Sequence, residues 1–531
     1  MPQDNLSKLL KSFIRFNDRA DRISSNQLVD TFVSAGPISD VLDHSNNQII
    51  YGRRGTGKTH ALKFITRKKH SEGDVCVYID CRNLGSEQSI YENISLPVTE
   101  RSTRLIVDVF IELHTQLLDC FSDPSAEWDL SIMAPLLDDL YDVISDVRVC
   151  GEYTVESTSQ SQAGNTSGFG GSAQISANPS LTLSAKDSEE TNFSQKNVAT
   201  QKGVQRSWVE FGRTGRCLRD LCARLEGRQI WLLIDEWSAI PREIQPYLAD
   251  MIRRTILIIP NISVKIAAIE HRSNFKFDLT GGQYIGFEIG ADLPSNLNLD
   301  DYLVFENNEE SAEAFFKAMI CKHVSAAAKE IGIDIAHDQE EIIRTAFTQS
   351  NVFSEFVQAS EGVPRDAMHI LSLCAQRSSG QPINKPTLRD AAYSFFHTEK
   401  YGAIESNESS RAMLDWVRDE VIQNRKTRAF LVPVSVKDGI LNRLFDQRAL
   451  HIRNKSMSSA HRTGERFVVY KIDYGCYVDL INTKNMPTGL LFPDDGTLSV
   501  SFDIPDDDAR SYRRAILDVE DFYREHPEWR Q

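Results

Sequence analysis

The sequence predicts an α/β protein: a parallel sheet with helices on both faces, followed by an all-helical lid and a C-terminal winged-helix-like domain. Three observations carry this reading. A glycine-rich loop, Gly52-Arg53-Arg54-Gly55-Thr56-Gly57-Lys58-Thr59, joins the strand-like "NNQIIY" to the helix-like "KTHALKFITRKK". A continuous apolar run from Ile230 to Ile234 ends in Asp235-Glu236, as expected of a parallel strand buried on both faces. From residue 30 to about 290, strand-like runs alternate with helical patterns, the order that builds a parallel sheet between two helix layers.

The loop fits G-x-x-x-x-G-K-[ST] in full, the P-loop pattern. Its glycines let the backbone curl so that successive N–H groups face phosphate oxygens. Lys58 is placed to reach the β- and γ-phosphates, and the Thr59 hydroxyl to ligate Mg²⁺. The helix opening at Lys58 aims its positive dipole end at the anion. The candidate nucleotide contacts are therefore Gly52, Arg53, Arg54, Gly55, Thr56, Gly57, Lys58 and Thr59, with His60 next in the helix. Arg53 and Arg54 are expected to face solvent or nucleotide. The implied ligands are a nucleoside triphosphate and Mg²⁺.

Ligands of open α/β sheets bind at the carboxyl ends of the strands, so Asp235 and Glu236 are expected beside the loop. Asp235 is the candidate Mg²⁺ carboxylate, acting directly or through water. Glu236 is the candidate for orienting and deprotonating an attacking water. Further strands are expected at "VCVYIDC" (75–81), "SVKIAAIE" (263–270) and "QYIGFEIG" (283–290). A helix is expected at 104–121, where Ile106, Val109, Phe110, Leu113 and Leu117 share one face.

Residues 151–204 interrupt this core with a Ser-, Thr-, Gly- and Asn-rich stretch. It reads as a disordered surface insertion or, from the alternation at 173–185, as a weak β-hairpin used for partner contact or self-assembly. Residues 310–397 look all-helical. One helix opens at Pro364 in "EGVPRDAMHILSLCAQ", with Arg365 in its first turn. A cation is disfavoured there by the helix dipole, so Arg365 either faces solvent or reaches an anion. From about 405 the order is helix, short strand "AFLVPV", helix 436–447, and a strand pair around "KSMSSAHRTGE". That is the order of a winged helix. Lys437, Arg443, Arg448, Arg453, Lys455, His461, Arg462 and Arg466 form the local basic cluster of this region. It suits phosphate contacts or a solvated wing that binds protein.

Composition narrows the classes. The 531 residues carry a net charge of −16, so nucleic acid is not bound by bulk charge and needs a local basic patch. Nine cysteines are scattered without a CxxC pair, which argues against a zinc site and for a reducing, cytoplasmic setting. The N-terminus lacks the apolar core and cleavage site of a signal peptide. No apolar run approaches the ~18–20 residues of a membrane span.

The series of Walker A loop, strand ending in Asp-Glu, helical region with "GVPR" and winged helix resembles the AAA+ ATPases of the origin-recognition (ORC/CDC-type) family, with the STAND signalling ATPases as near relatives. The resemblance covers most of residues 30–480. It implies an N-terminal helical arm (1–29), an ATPase core (30–298), a helical lid (299–400) and a winged-helix-like domain with an acidic tail (405–531). It also implies that Arg365 is a sensor-2 arginine touching the γ-phosphate. At the sensor-1 position, where AAA+ proteins carry Asn or Thr, this chain has Glu270-His271-Arg272-Ser273. STAND relatives place an arginine near this point, which favours Arg272. Arg253 and Arg254 end the helix after Asp235-Glu236; either one of them, with Arg254 the candidate, serves as an arginine finger for a neighbouring subunit, or both simply complement the dipole.

The resemblance implies an ATP-hydrolysing switch that couples nucleotide state to assembly and to DNA binding through the winged helix, in an initiator-like, mobile-element or antiphage-defence role. The alternative is a STAND-like scaffold that binds protein partners and turns ATP over slowly. A homo-oligomer or a partner protein is expected, and no membrane.

Overall fold

The computed structural model describes the chain except residues 1, 17–24, 35, 86–90, 92, 125–127, 146, 151–203, 208, 294, 303–308, 333–334, 336–337, 426, 459–463, 477, 479–514 and 531. The weak hairpin expected over 173–185 lies outside the described residues.

In chain order the first helices are α1 (Pro2–Ile14), α2 (Ser25–Thr31) and α3 (Ile38–Asp43). The core then runs β1 (Gln48–Tyr51), α4 (Lys58–Ser71), β2 (Val75–Asp80), α5 (Val98–Ser122), α6 (Leu130–Ile144), β3 (Val147–Cys150), β4 (Val204–Ser207), α7 (Phe211–Cys222), β5 (Ile230–Asp235), α8 (Gln245–Thr255), β6 (Ile262–Ala268), β7 (Lys276–Asp278), β8 (Tyr284–Gly286) and β9 (Ser295–Asn298). The main sheet has the order β2-β5-β6-β1-β9, and every pairing in it is parallel. Side chains of a strand alternate between faces, and β5 obeys this with apolar residues throughout. Ile230, Leu232 and Ile234 join the large core beneath α5–α8, while Trp231 and Leu233 join the smaller core with α3 and α4. Both faces are therefore covered, as the unbroken apolar run predicts.

One strand expectation needs correction. The segment 283–290 contributes β8, which pairs antiparallel with β7 as a separate hairpin. The edge strand of the main sheet is instead β9, whose register sets Asn298 opposite Tyr51.

The helical region comprises α9 (Glu309–Ile331), α10 (Gln339–Ala346), α11 (Ser350–Ala359), α12 (Pro364–Arg377) and α13 (Lys385–Phe395). Its core includes Leu6, Leu9, Leu10 and Phe13 of α1. Their spacing puts them on one helix face, so the N-terminal helix packs as part of the lid. A π-turn (Phe396–Tyr401) leads into α14 (Gly402–Glu405), α15 (Glu408–Arg418), β10 (Ala429–Pro433), α16 (Gly439–Asp446), β11 (Leu450–Ser458) and β12 (Arg466–Ile472). The sheet order β10-β12-β11 is antiparallel, giving the helix–strand–helix–hairpin arrangement of a winged helix over its own core. Among the described residues no helix is long and apolar enough to cross a membrane.

Candidate nucleotide site

The register of the sheet brings the loop after β1 and the end of β5 to one edge. Tyr51 pairs with Ala268 of β6, and Ile234 with Ile266, so the glycine-rich loop and Asp235 flank the end of β6. The loop curls as its glycines allow. Gly55 has φ +90° and Gly57 +97°, a region closed to most side chains. Gly57 caps α4, whose first turn begins with Lys58.

The outward carbonyls of the loop are held one after another. Lys58 Nζ donates to Gly52 O at 2.7 Å and to Arg53 O at 2.9 Å. Arg448 donates to Arg54 O at 3.1 Å. The Arg365 backbone N–H donates to Gly55 O at 3.2 Å. The Arg53 N–H is spent on Asp300 and the Thr56 N–H on Arg53 O, so the N–H groups a loop of this kind offers to an anion are those of its other residues. Lys58 is buried, and burial pushes its pKa down, against the nearby carboxylates Glu236 and Asp235, which favour its charge. Thr59 follows it, half-buried.

Asp235 is fully buried. Its Oδ1 accepts the Glu236 N–H at 2.8 Å and its Oδ2 accepts the Tyr78 hydroxyl at 2.7 Å. Glu236 sits at φ +53°, a left-handed turn costing on the order of 1–3 kcal/mol for a side-chain-bearing residue. The turn leaves the strand direction at this residue and half-exposes its carboxylate. Oxygen donors such as Asp235 and Thr59 suit a hard cation. Among the described residues no group of three or more His, Cys, Asp or Glu could hold a metal by itself. A Mg²⁺ ion shared between few protein oxygens and nucleotide phosphates fits that donor set.

Beside Thr56 and Gly57 opens a small cleft between α2, α4 and the lid helices α9 and α12. Its walls include Phe32, Ala61, Met319 and Met368, an apolar lining suited to a flat heterocycle. His60 lines it too. Its Nε2 lies 2.8 Å from Leu28 O, and a carbonyl only accepts, so this nitrogen carries the proton. His323, also on the wall, is pushed down to about 3, chiefly by burial and then by His60 and Lys322.

Arg53 departs from expectation. It is buried and faces neither solvent nor the phosphate cradle. Its Nε lies 2.8 Å from Asp300 Oδ1, and its backbone N–H donates to Asp300 Oδ2 at 2.9 Å. Its other arm donates to Leu450 O at 3.2 Å and to His451 Nδ1 at 2.9 Å, and the guanidinium lies 4.5 Å from the Phe445 ring centre. Burial raises the Asp300 carboxyl, but Arg53, with Lys58, outweighs this and holds it below the usual value. Arg54 is the exposed member of the pair.

Arg365 is half-buried at the start of α12, directly over the loop. A Cβ built on Gly55 would lie 2.9 Å from Arg365 Cβ. Arg272 is turned toward the C-terminal unit, with Nε 3.0 Å from Asp446 Oδ2. Arg254 pairs with Asp250 at 2.7 Å and stays largely exposed, while Arg253 holds the same carboxylate at 2.7 Å and lies on the Tyr284 ring. The basic cluster is thinner than the sequence suggests. Arg448 points inward, Lys455 pairs with Asp301 at 3.0 Å, and His461 and Arg462 lie outside the described residues. Lys437 and Arg466 remain exposed.

Sequence reasoning missed Tyr78 beside Asp235 and Asp300, Asp366, Lys400, His451 and Asp473 around the loop, and it read Arg448 as part of the basic cluster and not as a loop contact. Asp366 of α12 is fully buried, with Arg448 at 2.8 Å and Lys400 at 2.9 Å. Lys400 also meets Asp473 at 2.6 Å, and Asp473 accepts from His451 at 2.9 Å. The available signal was polar: Lys471 lies near the end of β12 and Asp473 just after it, following the run Phe467–Tyr470.

A parallel sheet with a glycine-rich loop at one strand end, an acidic strand end beside it and a helical lid defines the P-loop NTPase fold. The model of the ORC-CDC6-like family matches residues 16–71, the stretch holding α2, β1, the loop and α4, and there the chain resembles that family. No curated protein matches the sequence. Among solved structures, the Orc1 protein of Aeropyrum pernix in complex with DNA aligns over 84% of this chain and 89% of its own, at 11% identity and a TM-score of 0.31.

Proposed function

We propose that this chain binds ATP with Mg²⁺ between the sheet edge and the helical lid, hydrolyses it, and uses the cycle as a switch. The observation that carries the reading is the convergence of Lys58, Asp235 and Glu236 at one sheet edge with the lid helix of Arg365 seated on Gly55. Lys58 would leave the Gly52 and Arg53 carbonyls for the phosphates. Arg365, entering from the lid, would make lid position depend on the γ-phosphate. Glu236 would take a proton from water as the water oxygen bonds to the γ-phosphorus. The bond from that phosphorus to the β–γ bridging oxygen breaks, leaving ADP and phosphate. Bound Mg²⁺, held by Asp235 and Thr59, would neutralise phosphate charge.

DNA is the proposed ligand of the C-terminal unit, through Lys437, Arg466 and their neighbours, as initiator-like chemistry requires. The scaffold reading is kept because Arg448 and Lys455 are spent on contacts within the chain. Two measurements test these readings. Lys58→Ala should remove ATP binding; unchanged affinity refutes the nucleotide site. Duplex-DNA binding should weaken steeply with salt and respond to ATP; no binding at low salt leaves the protein-binding scaffold.

A further inference from the structure

The phosphate loop is braced by the C-terminal unit, some 400 residues further along the chain. Three observations make this more than packing. First, the brace is bonded to the loop itself. Arg448 donates to Arg54 O at 3.1 Å, and His451 Nδ1 lies 2.9 Å from the Arg53 guanidinium. Secondly, the residue whose side chain is captured is the one whose carbonyl holds Lys58 Nζ at 2.9 Å, so the same peptide serves the C-terminal unit and the lysine expected to meet phosphate. Thirdly, the brace is buried and charged. His451, Asp473, Lys400, Asp366 and Arg53 are each less than 5% exposed, so breaking one contact strands a charge in the interior.

The chemistry fixes the proton. A guanidinium has no acceptor, so His451 Nδ1 must accept from Arg53, and Nε2–H donates to Asp473. His451 is neutral in this arrangement. Asp473 in turn meets Lys400, and Lys400 meets Asp366 at the start of the lid helix. Arg448 closes the ring by pairing with Asp366 at 2.8 Å. It does so from φ +63°, a strained conformation for a residue in the turn between α16 and β11. Loop, lid and C-terminal unit are thus tied through one continuous set of contacts.

We propose that His451 and Arg448 are positioning residues for the phosphate loop, so that nucleotide binding and the seating of the C-terminal unit are thermodynamically coupled. The proposal rests on the nucleotide reading above and supplies the residues through which the switch acts. Coupling is reciprocal: whatever the seated unit adds to ATP affinity, ATP adds to seating.

The test uses the full chain with a fluorescent ATP analogue and amide exchange of β11, with and without ATP. In the unaltered protein ATP should slow exchange at residues 450–452. Arg53→Met keeps an apolar side chain of similar reach and removes the fork that lies over Phe445. It should weaken ATP binding about 5–150-fold and abolish the ATP-dependent protection. His451→Phe should do the same, whereas His451→Asn, which can keep an acceptor toward Arg53, should recover part of both. Arg448→Gln is the second route should Arg53→Met fail to fold, since it cuts the Arg54 and Asp366 contacts from a half-buried position. Folded Arg53→Met or Arg448→Gln with unaltered affinity and protection overturns the proposal alone. An unaltered protein that binds no ATP overturns the nucleotide reading and the proposal with it.

Discussion

Tyr78 donates its phenolic hydrogen to Asp235 Oδ2 at 2.7 Å, across the boundary between β2 and β5. With the Glu236 N–H on Oδ1, both carboxylate oxygens are held and the plane of the group is fixed before any cation arrives. The tyrosine pKa is raised, first by burial and then by the Asp235 charge, so the hydroxyl stays protonated and keeps donating. Tyr78→Phe removes one hydrogen bond to a buried carboxylate. The expected loss is about 1.5–3 kcal/mol of stability, read by urea denaturation, with a higher Mg²⁺ concentration needed for half-maximal ATPase activity. An unchanged Mg²⁺ requirement would show that Tyr78 supports the strand pair and not the carboxylate.

Glu236 occupies a left-handed backbone position where a glycine would be easier. Such strained positions cluster at functional sites, which makes the carboxylate there worth testing as the base. Glu236→Gln preserves shape and hydrogen bonding while removing the base. ATP should still bind, and turnover should fall about 10²–10⁴-fold, trapping the ATP state. Single-turnover hydrolysis measures this directly, and a normal rate would remove Glu236 from the role.

The parts of the fold legible in the sequence are those written locally. The loop motif, the apolar run of β5 and the helix opening at Pro364 each announce themselves within a dozen residues, and the structure places them where the pattern implies. The parts that were not legible depend on partners far apart in sequence. Strand β9 has the sequence Ser-Asn-Leu-Asn, with no apolar run to mark it, and is defined by pairing with β1. Arg53 looks like a solvent-facing cation until Asp300 and His451, distant in the chain, are brought against it. Arg272 has the composition of a phosphate contact but finds Asp446 instead. For β9 the deciding energy is the ladder pairing with β1, and for the two arginines it is pairing a charge with a carboxylate far along the chain; no window of sequence reports either.

The two left-handed glycines of the loop separate backbone cost from packing cost. A Cβ on Gly57 would meet nothing within 4 Å, whereas one on Gly55 would lie 2.9 Å from Arg365 Cβ and 3.2 Å from Val363 Cγ1. Gly57→Ala should therefore cost about 1 kcal/mol from the positive φ alone. Gly55→Ala should cost more, because the start of the lid helix must also move. Without nucleotide, thermal denaturation should rank Gly55→Ala below Gly57→Ala, and amide exchange should rise over residues 364–368 in the first variant only. Equal destabilisation by both would mean that the lid helix does not rest on the loop.

Acid should unseat the C-terminal unit. His451 is pushed down to about 3, chiefly by burial and then by the Arg53 charge, with Asp473 opposing. Unfolded, the ring titrates near 6.5. Between those values the unfolded chain binds the proton and the folded chain does not, so stability rises with pH across the window and falls as pH drops from about 6.5 toward 3. Asp473 acts in the same direction at the acid end. Burial raises its carboxyl, but Lys400 and His451 outweigh this and hold it below the usual value, so its contribution is lost only as pH falls below the ordinary carboxylate range. The limiting slope for one group is about 1.4 kcal/mol per pH unit. His323 shares the sign, since it too is lowered to about 3, and the bulk curve will contain both. The difference between the unaltered protein and His451→Asn isolates the interdomain share. Amide exchange at residues 450–452 should accelerate on going from pH 7 to 5, after correction for intrinsic exchange, and that acceleration should shrink in the Asn variant. A variant that tracks the unaltered protein through this window would place the acid-sensitive group elsewhere.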